Sequence, residues 1–185
     1  YSDHAHWMRD PAQSAMLEGL TASYVEKLRD APLVLDLPTD RVRPPLQTFV
    51  GRRRVFALTR DEMTALRDVC RRERVTPFMV LLASLYALLH RYSGQSQILV
   101  GSAIAGRTRA ETENLIGFFT NTLVLPGDLS GDPDFRTLLQ RTRDVALDAY
   151  SYQEVPFEQV IQRISHDRDL SRTPVFQVMF VLENA

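Results

Sequence analysis

Residues able to do chemistry are few and scattered in this chain. His4 and His6, two of the four histidines, stand beside Asp3, types that ligate metals, but a metal corner needs further ligands that the neighbouring sequence does not supply. His90 closes an apolar segment and His166 sits in a charged loop, so capping or solvation accounts for them as readily as general-base work. No Gly-x-Ser-x-Gly elbow presents a serine nucleophile, and Gly101-Ser102 lies inside a strand-like run. Neither a Gly-x-Gly-x-x-Gly turn nor a Walker loop offers a cradle for phosphate. Cys70 is the single cysteine, which excludes an internal disulfide and a cysteine-built metal site. We read no metal site and no catalytic residue in these 185 residues.

A polar set is more suggestive: Arg107 after Gly106, Asn121 within a strand-like run, Gln153 just before Pro156, and Arg172 closing Arg168-Asp-Leu-Ser-Arg172. Amide and guanidinium groups at the ends of strands and helices cost free energy unless paired. They therefore either brace loops or line a site, and the pattern alone leaves both readings open.

The elements that would position them follow from periodicity and punctuation. Residues 11–28 read as a weakly amphipathic, peripheral helix with Met16, Leu20, Tyr24 and Leu28 near helical spacing. The proline-rich stretch Leu37-Pro-Thr-Asp-Arg-Val-Arg-Pro-Pro45 is the clearest seam. Residues 54–58 read as a short strand, and Thr59-Arg-Asp-Glu62 then has the form of a capping box opening a helix with Met63, Leu66 and Val69 inward. Thr76-Pro77 starts a helix that is apolar nearly all round and stops at Ser93-Gly94, which marks it as central core. Residues 98–104 and 118–125 read as strands, the first too apolar to be half-exposed, the second with Thr120, Thr122 and Val124 on one face. Asp132-Pro133 reads as the start of a long helix, Pro156 as the start of another, and 175–182 as a last strand. Neighbouring helices in pairs, without strict alternation, point to an α+β two-layer sandwich.

Composition narrows the function classes. With 44% hydrophobic and 24% charged residues and a formal net charge of -1, the chain has the balance of a soluble globular domain, with no field that would attract nucleic acid or an anionic membrane. Arg52-Arg-Arg54 and Arg71-Arg72 read as solvated charge runs. The start lacks the layout of a signal peptide, no apolar run approaches a membrane span, and one cysteine fits a reducing, cytoplasmic setting.

Several segments, in order, resemble the condensation domains of nonribosomal peptide synthetases. Tyr1-Ser-Asp-His-Ala-His-Trp7 is similar to that family's Tyr-x-Asp-Phe-Ala-x-Trp motif, and Leu37-Pro-Thr-Asp-Arg41 to its entry into the second subdomain. Arg91-Tyr-Ser-Gly-Gln95, Val100-Gly101 and Ala105-Gly-Arg107 are family-like. Ile116-Gly-Phe-Phe-Thr-Asn-Thr122 resembles Ile-Gly-x-Phe-Val-Asn-Thr, Tyr152-Gln-Glu-Val-Pro-Phe-Glu158 resembles His-Gln-Asp-x-Pro-Phe-Glu, and Arg168-Asp-Leu-Ser-Arg-Thr-Pro174 resembles Arg-Asp-x-Ser-Arg-Asn-Pro. Tyr152, Glu154 and Thr173 depart from the pattern, and Thr173 replaces an amide by a single hydroxyl.

The resemblance implies half of a V-shaped, chloramphenicol-acetyltransferase-like pseudo-dimer. Amide bonds would form in the tunnel between two subdomains, from thioesters carried on phosphopantetheine arms, with no cofactor bound directly. It implies that residues 1–45 are a peripheral helix and linker from the first subdomain and that 46–185 are an incomplete second subdomain. The implied partners are the first subdomain and the upstream and downstream carrier proteins, with no nucleic acid and no membrane. The family's His-His-x-x-x-Asp-Gly signature does not occur in these residues, so the expectation is a piece of an acyl or peptidyl transferase that is inactive alone. Arg107 would then pair with the aspartate of that signature, while Asn121, Gln153 and Arg172 would support the tunnel face. The alternative is a non-catalytic module of the same fold that binds a carrier protein.

Overall fold

The computed structural model describes residues 1–164 and 169–183, so His166 and Arg168 lie outside the described residues. The elements in chain order are α1 (Ser2–Met8), α2 (Pro11–Leu28), α3 (Arg60–Glu73), α4 (Pro77–Ser93), β1 (Gln97–Ile104), α5 (Ala110–Glu113), β2 (Asn121–Asp128), α6 (Phe135–Tyr150) and α7 (Phe157–Ile164). The α+β class holds.

Local chemistry starts and stops most helices where the sequence signals them. Thr59 and Glu62 form the full capping box of α3, and the Thr76 hydroxyl accepts from the Met79 N–H at 3.3 Å to open α4. Gly94, at φ 72°, ends α4 in the left-handed conformation that suits glycine. α6 starts two residues later than expected. Asp132 adopts φ 49°, and Asp134, beyond the proline, is the cap, its carboxylate accepting from the Thr137 N–H at 2.7 Å.

β1 and β2 pair antiparallel, Gln97 opposite Asp128 through to Ile104 opposite Asn121. Alternate side chains leave opposite faces of a strand, and both faces here are covered. Ile98, Val100, Leu123 and Leu125 face a core built with α4 and α6, including Leu82, Tyr86 and Leu139. Leu99 and Val124 face a second core with Tyr24, Leu28, Val160 and Phe176. The helix at 11–28 is therefore not peripheral. It buries Leu17, Thr21, Tyr24 and Leu28 and leaves Met16 46% exposed. The Tyr24 hydroxyl donates to the Val124 carbonyl at 2.8 Å and accepts from the Val124 N–H at 2.7 Å, which closes the free edge of β2.

Two expected strands do not form. Residues 54–58 are exposed throughout and join no ladder, because a short apolar run becomes a strand only against a partner, and none is seated on it among the described residues. The run at 175–182 makes a single parallel bridge, Gly101 with Met179. Gly101 donates to the Val178 carbonyl at 2.9 Å and accepts from the Phe180 N–H at 2.8 Å. Val175 is at φ 70°, and Val175 and Phe176 drop into the second core as a plug. A Cβ at position 101 would overlap the Phe176 ring, so this close approach requires glycine. The strand expected at 118–125 begins at Asn121, leaving Thr120 exposed before it. α1 is a helix opened by no side-chain cap.

Candidate functional site

The longest departure from the sheet is the excursion of residues 105–120 between β1 and β2, and it builds one wall of a groove with α1 and the turn that precedes α7. The groove encloses about 370 Å³, and Tyr1, His4, Trp7, Phe119, Asn121 and Glu154 are among its lining residues. Gly106 at φ 64° closes the base of the excursion, with the Phe119 carbonyl packed where a side chain would stand. Across the groove the Thr108 hydroxyl donates to Glu154 Oε1 at 3.0 Å.

Asn121 is the strongest of the sequence candidates. Its Nδ2 donates to the Gln153 carbonyl at 2.9 Å and the Val155 carbonyl at 2.7 Å, and its Oδ1 accepts from the N–H of Thr122 at 2.9 Å and of Phe157 at 3.2 Å. One side chain thus ties the start of β2 to the turn at 153–155 and to the first N–H of α7. All its hydrogen-bonding capacity is directed at backbone, so it braces and does no proton chemistry. Gln153 joins it in lining the same groove.

Arg107 is half-buried behind that wall. Its guanidinium donates to the Thr112 carbonyl, and its Cζ lies 4.4 Å from the centre of the Phe119 ring. It makes no ion pair with Glu111 among the described residues. Arg172 does not line the groove; its Nε lies 2.7 Å from Asp169 Oδ2, but out of line for a hydrogen bond, so the contact is a Coulombic one. The Ser171 hydroxyl and N–H, more than Arg172, hold the Asp169 carboxyl below its ordinary range. The structure therefore brings Asn121 and Gln153 together, sets Arg107 just behind them, and leaves Arg172 apart.

The aromatic groups of the groove are absent from the polar set that the sequence singles out. Tyr1 meets Phe119 edge-on with ring centres 5.3 Å apart, and His4 lies between Phe119 at 5.1 Å and Trp7 at 5.7 Å. The Arg109 guanidinium covers Trp7 at 3.7 Å. Tyr1, His4 and Trp7 recur every third residue, a helical spacing that could have signalled a shared face. His4 is occupied in this stack, His6 Nδ1 contacts the Ser2 carbonyl at 2.9 Å, and His90 Nδ1 contacts the Gln95 carbonyl at 2.8 Å. Among the described residues no three of His, Cys, Asp and Glu come together as a metal site.

Tyr152, one of the departures from the resembling motif, does not reach the groove. It is buried against Tyr24, the rings stacked at 4.5 Å, with its hydroxyl 3.2 Å from Ser23 Oγ. Lys27 lies 5.0 Å over its ring and pairs with Asp148 at 2.5 Å, a contact that raises the Lys27 ammonium above its usual range.

Comparison with known proteins gives this arrangement its context. The sequence matches the family described as "Condensation domain" over residues 1–185. It is 49% identical over 184 residues to one of the linear gramicidin synthase proteins of Brevibacillus parabrevis, covering 100% of this chain and 2% of that protein. It is 41% identical to phosphinothricin tripeptide synthetase PhsC of Streptomyces viridochromogenes, covering 100% of this chain and 17% of that protein. A four-domain nonribosomal peptide synthetase bound to AMP and glycine superposes with a TM-score of 0.85 at 26% identity, covering 89% of this chain and 12% of that one. The X-domain from teicoplanin biosynthesis superposes with a TM-score of 0.87 at 23% identity, covering 96% of this chain and 40% of that one, a likeness of fold. The chain spans a small fraction of the length of the synthetases it matches.

Proposed function

As the chain belongs to the condensation-domain family of nonribosomal peptide synthetases, we propose that it supplies one wall of the tunnel in which an amide bond forms between two carrier-bound thioester intermediates. In that reading the amine on the downstream phosphopantetheine arm attacks the upstream thioester carbonyl, and the thiolate of the upstream arm leaves. No cofactor is held by the chain itself. The partners are the other subdomain and the two carrier proteins, and no nucleic acid takes part. Among the described residues no single helix is long and apolar enough to cross a membrane.

The observation that carries this reading is the Asn121 brace. Asn121 commits its whole side chain to backbone, which suits a wall that holds shape while chemistry is done by groups opposite it. Arg107 is the residue assigned to meet a carboxylate from the other subdomain, and Arg172 is assigned to stiffening the loop at 169–174. Residues 1–45 are assigned to the approach from the first subdomain and 46–185 to the second. α2 nevertheless shares a core with α7, so this assignment follows the path of the chain and not the packing.

The test is amide formation from two loaded carrier proteins. The 185-residue chain alone should give no product above uncatalysed aminolysis, while a synthetase carrying this segment and an intact His-His-x-x-x-Asp-Gly should give product. Turnover by the chain alone would overturn the assignment of a wall. A synthetase that binds its carriers but never condenses would favour the non-catalytic binding module instead.

A further inference from the structure

The excursion at 105–120 has no strand partner of its own, and its tip is open to solvent, with Ile116 98% and Phe118 77% exposed. Yet its base must place Gly106 and Phe119 at the groove, with Arg107 behind them. Hydrogen bonds within it are local: Thr112 N–H and hydroxyl both reach the Arg109 carbonyl, at 2.9 and 2.7 Å. These fold the short turn of α5 but attach it to nothing else. Two hydrogen bonds leave the ends of the excursion, the Tyr1 hydroxyl donating to the Phe118 carbonyl at 3.3 Å and the Thr108 hydroxyl to Glu154 at 3.0 Å, and the rest of the attachment is made by rings and guanidinium groups. Arg109 lies over Trp7 at 3.7 Å, Phe119 packs on Tyr1 and His4, and Arg107 lies 4.4 Å from the centre of that same Phe119 ring. Both cation-to-ring distances are within the roughly 6 Å at which a ring quadrupole attracts a cation.

We propose that Arg109 and Trp7 form a clasp that fastens the excursion to α1, and that through Phe119 and Arg107 they act as positioning residues for condensation. The second half of this rests on the functional reading above. Neither side chain is among the hydrogen-bond partners of Asn121. Their effect passes along the chain of contacts Trp7, Arg109, α5, Arg107 and Phe119, in which the Arg107 bond to the Thr112 carbonyl is the link. Guanidinium suits this seat better than ammonium, because its flat face stacks on the indole.

Trp7 is the only tryptophan, so its emission reports the clasp directly. In the 185-residue chain, Arg109→Gln should make Trp7 more accessible to acrylamide quenching and speed proteolytic cleavage within 105–120. Arg109→Lys should fall between, and Arg67→Gln, on the exposed face of α3, should change neither. In a synthetase carrying the segment, Arg109→Gln should lower kcat by about two- to tenfold, the range of one exposed to partly buried cation–ring contact, with KM for the loaded carriers nearly unchanged. Unchanged quenching in Arg109→Gln would overturn the clasp whatever the activity. Looser quenching with unaltered kcat would overturn the positioning role and leave a merely structural contact. A wild-type synthetase that condenses nothing would overturn the functional reading and the positioning role with it, while the quenching result would still decide the clasp.

Discussion

Replacing Asn121 by alanine removes four hydrogen bonds at once and leaves two carbonyls and two N–H groups without partners, among them the first N–H of α7. At a net ~0.5–1.5 kcal/mol per bond the naive loss is about 2–6 kcal/mol. Asn121 is only half-buried and lines a water-accessible groove, so solvent can replace part of the loss, and we expect about 2–3 kcal/mol. Asn121→Asp is the sharper perturbation. It keeps the acceptor for Thr122 and Phe157 but turns a carboxylate on the carbonyls of Gln153 and Val155, which oppose the charged form and raise the folded-state pKa of the new group. A raised folded pKa gives a contribution present below the unfolded value of roughly 3.9 and lost as pH rises through the folded one. The aspartate variant should therefore be less stable than the alanine variant at pH 7, with the gap narrowing toward pH 4. Urea unfolding followed by circular dichroism at both pH values measures this. If both variants stay within about 0.5 kcal/mol of the parent, the range of an ordinary surface change, the brace is not what holds the turn before α7.

Tyr24→Phe keeps the stack on Tyr152 but strands both backbone groups of Val124 inside the second core, and should cost about 1–3 kcal/mol in urea unfolding. Gly101→Ala drives a methyl into the Phe176 ring and should cost about 1–3 kcal/mol, with hydrogen exchange at the Phe180 N–H speeding up as the 178–180 segment lifts away. The carboxyls of Glu62 and Asp134 are both held below their ordinary range by the capped N–H groups and hydroxyls of Thr59 and Thr137; their contribution is present above the unfolded pKa and lost as pH falls through the folded one. Acid titration of Thr59→Ala or Asp134→Ala should thus show a shallower loss of stability than the parent. Arg107→Ala should cost about 1 kcal/mol in this chain, where it loses a carbonyl and a ring, and about 3–5 kcal/mol in a complete domain if it there pairs with a buried carboxylate; equal costs in both settings would remove Arg107 from the tunnel face.

What was legible in the sequence was what a few neighbouring residues decide. The capping box at Thr59, the Thr76-Pro77 start, the glycine stop at Gly94 and the apolar body of α4 are contained within a turn or two, and each stands where expected. What failed depended on partners far away. Residues 54–58 and 175–182 have strand composition, but strand formation is decided by what lies beside them, and position 101 accepts only a single bridge. The buried stripe of α2 contains Thr21, whose hydroxyl is satisfied by the Leu17 carbonyl at 2.6 Å and by Gln159. Such a polar position makes a helix look peripheral until its partner, 138 residues away, is known.

The site divides along the same line. Asn121 and Gln153 could be singled out because an amide at the end of a strand or before a proline is costly unless used, and the structure shows the use for Asn121, whereas Gln153 takes part through its backbone carbonyl. The aromatic half of the groove could not, because Tyr1, His4 and Trp7 meet Phe119 only through the fold of a sixteen-residue excursion whose path no local signal dictates. Arg107 sits between the two cases. Its guanidinium is already engaged by Thr112 and Phe119, yet it keeps further N–H donors than that one carbonyl can use, all in a fixed plane. A side chain held rigid by one bond and one ring, with donors to spare, can accept a bidentate carboxylate at little further cost in rotamer entropy, and this is what a residue closing the tunnel from one side would require.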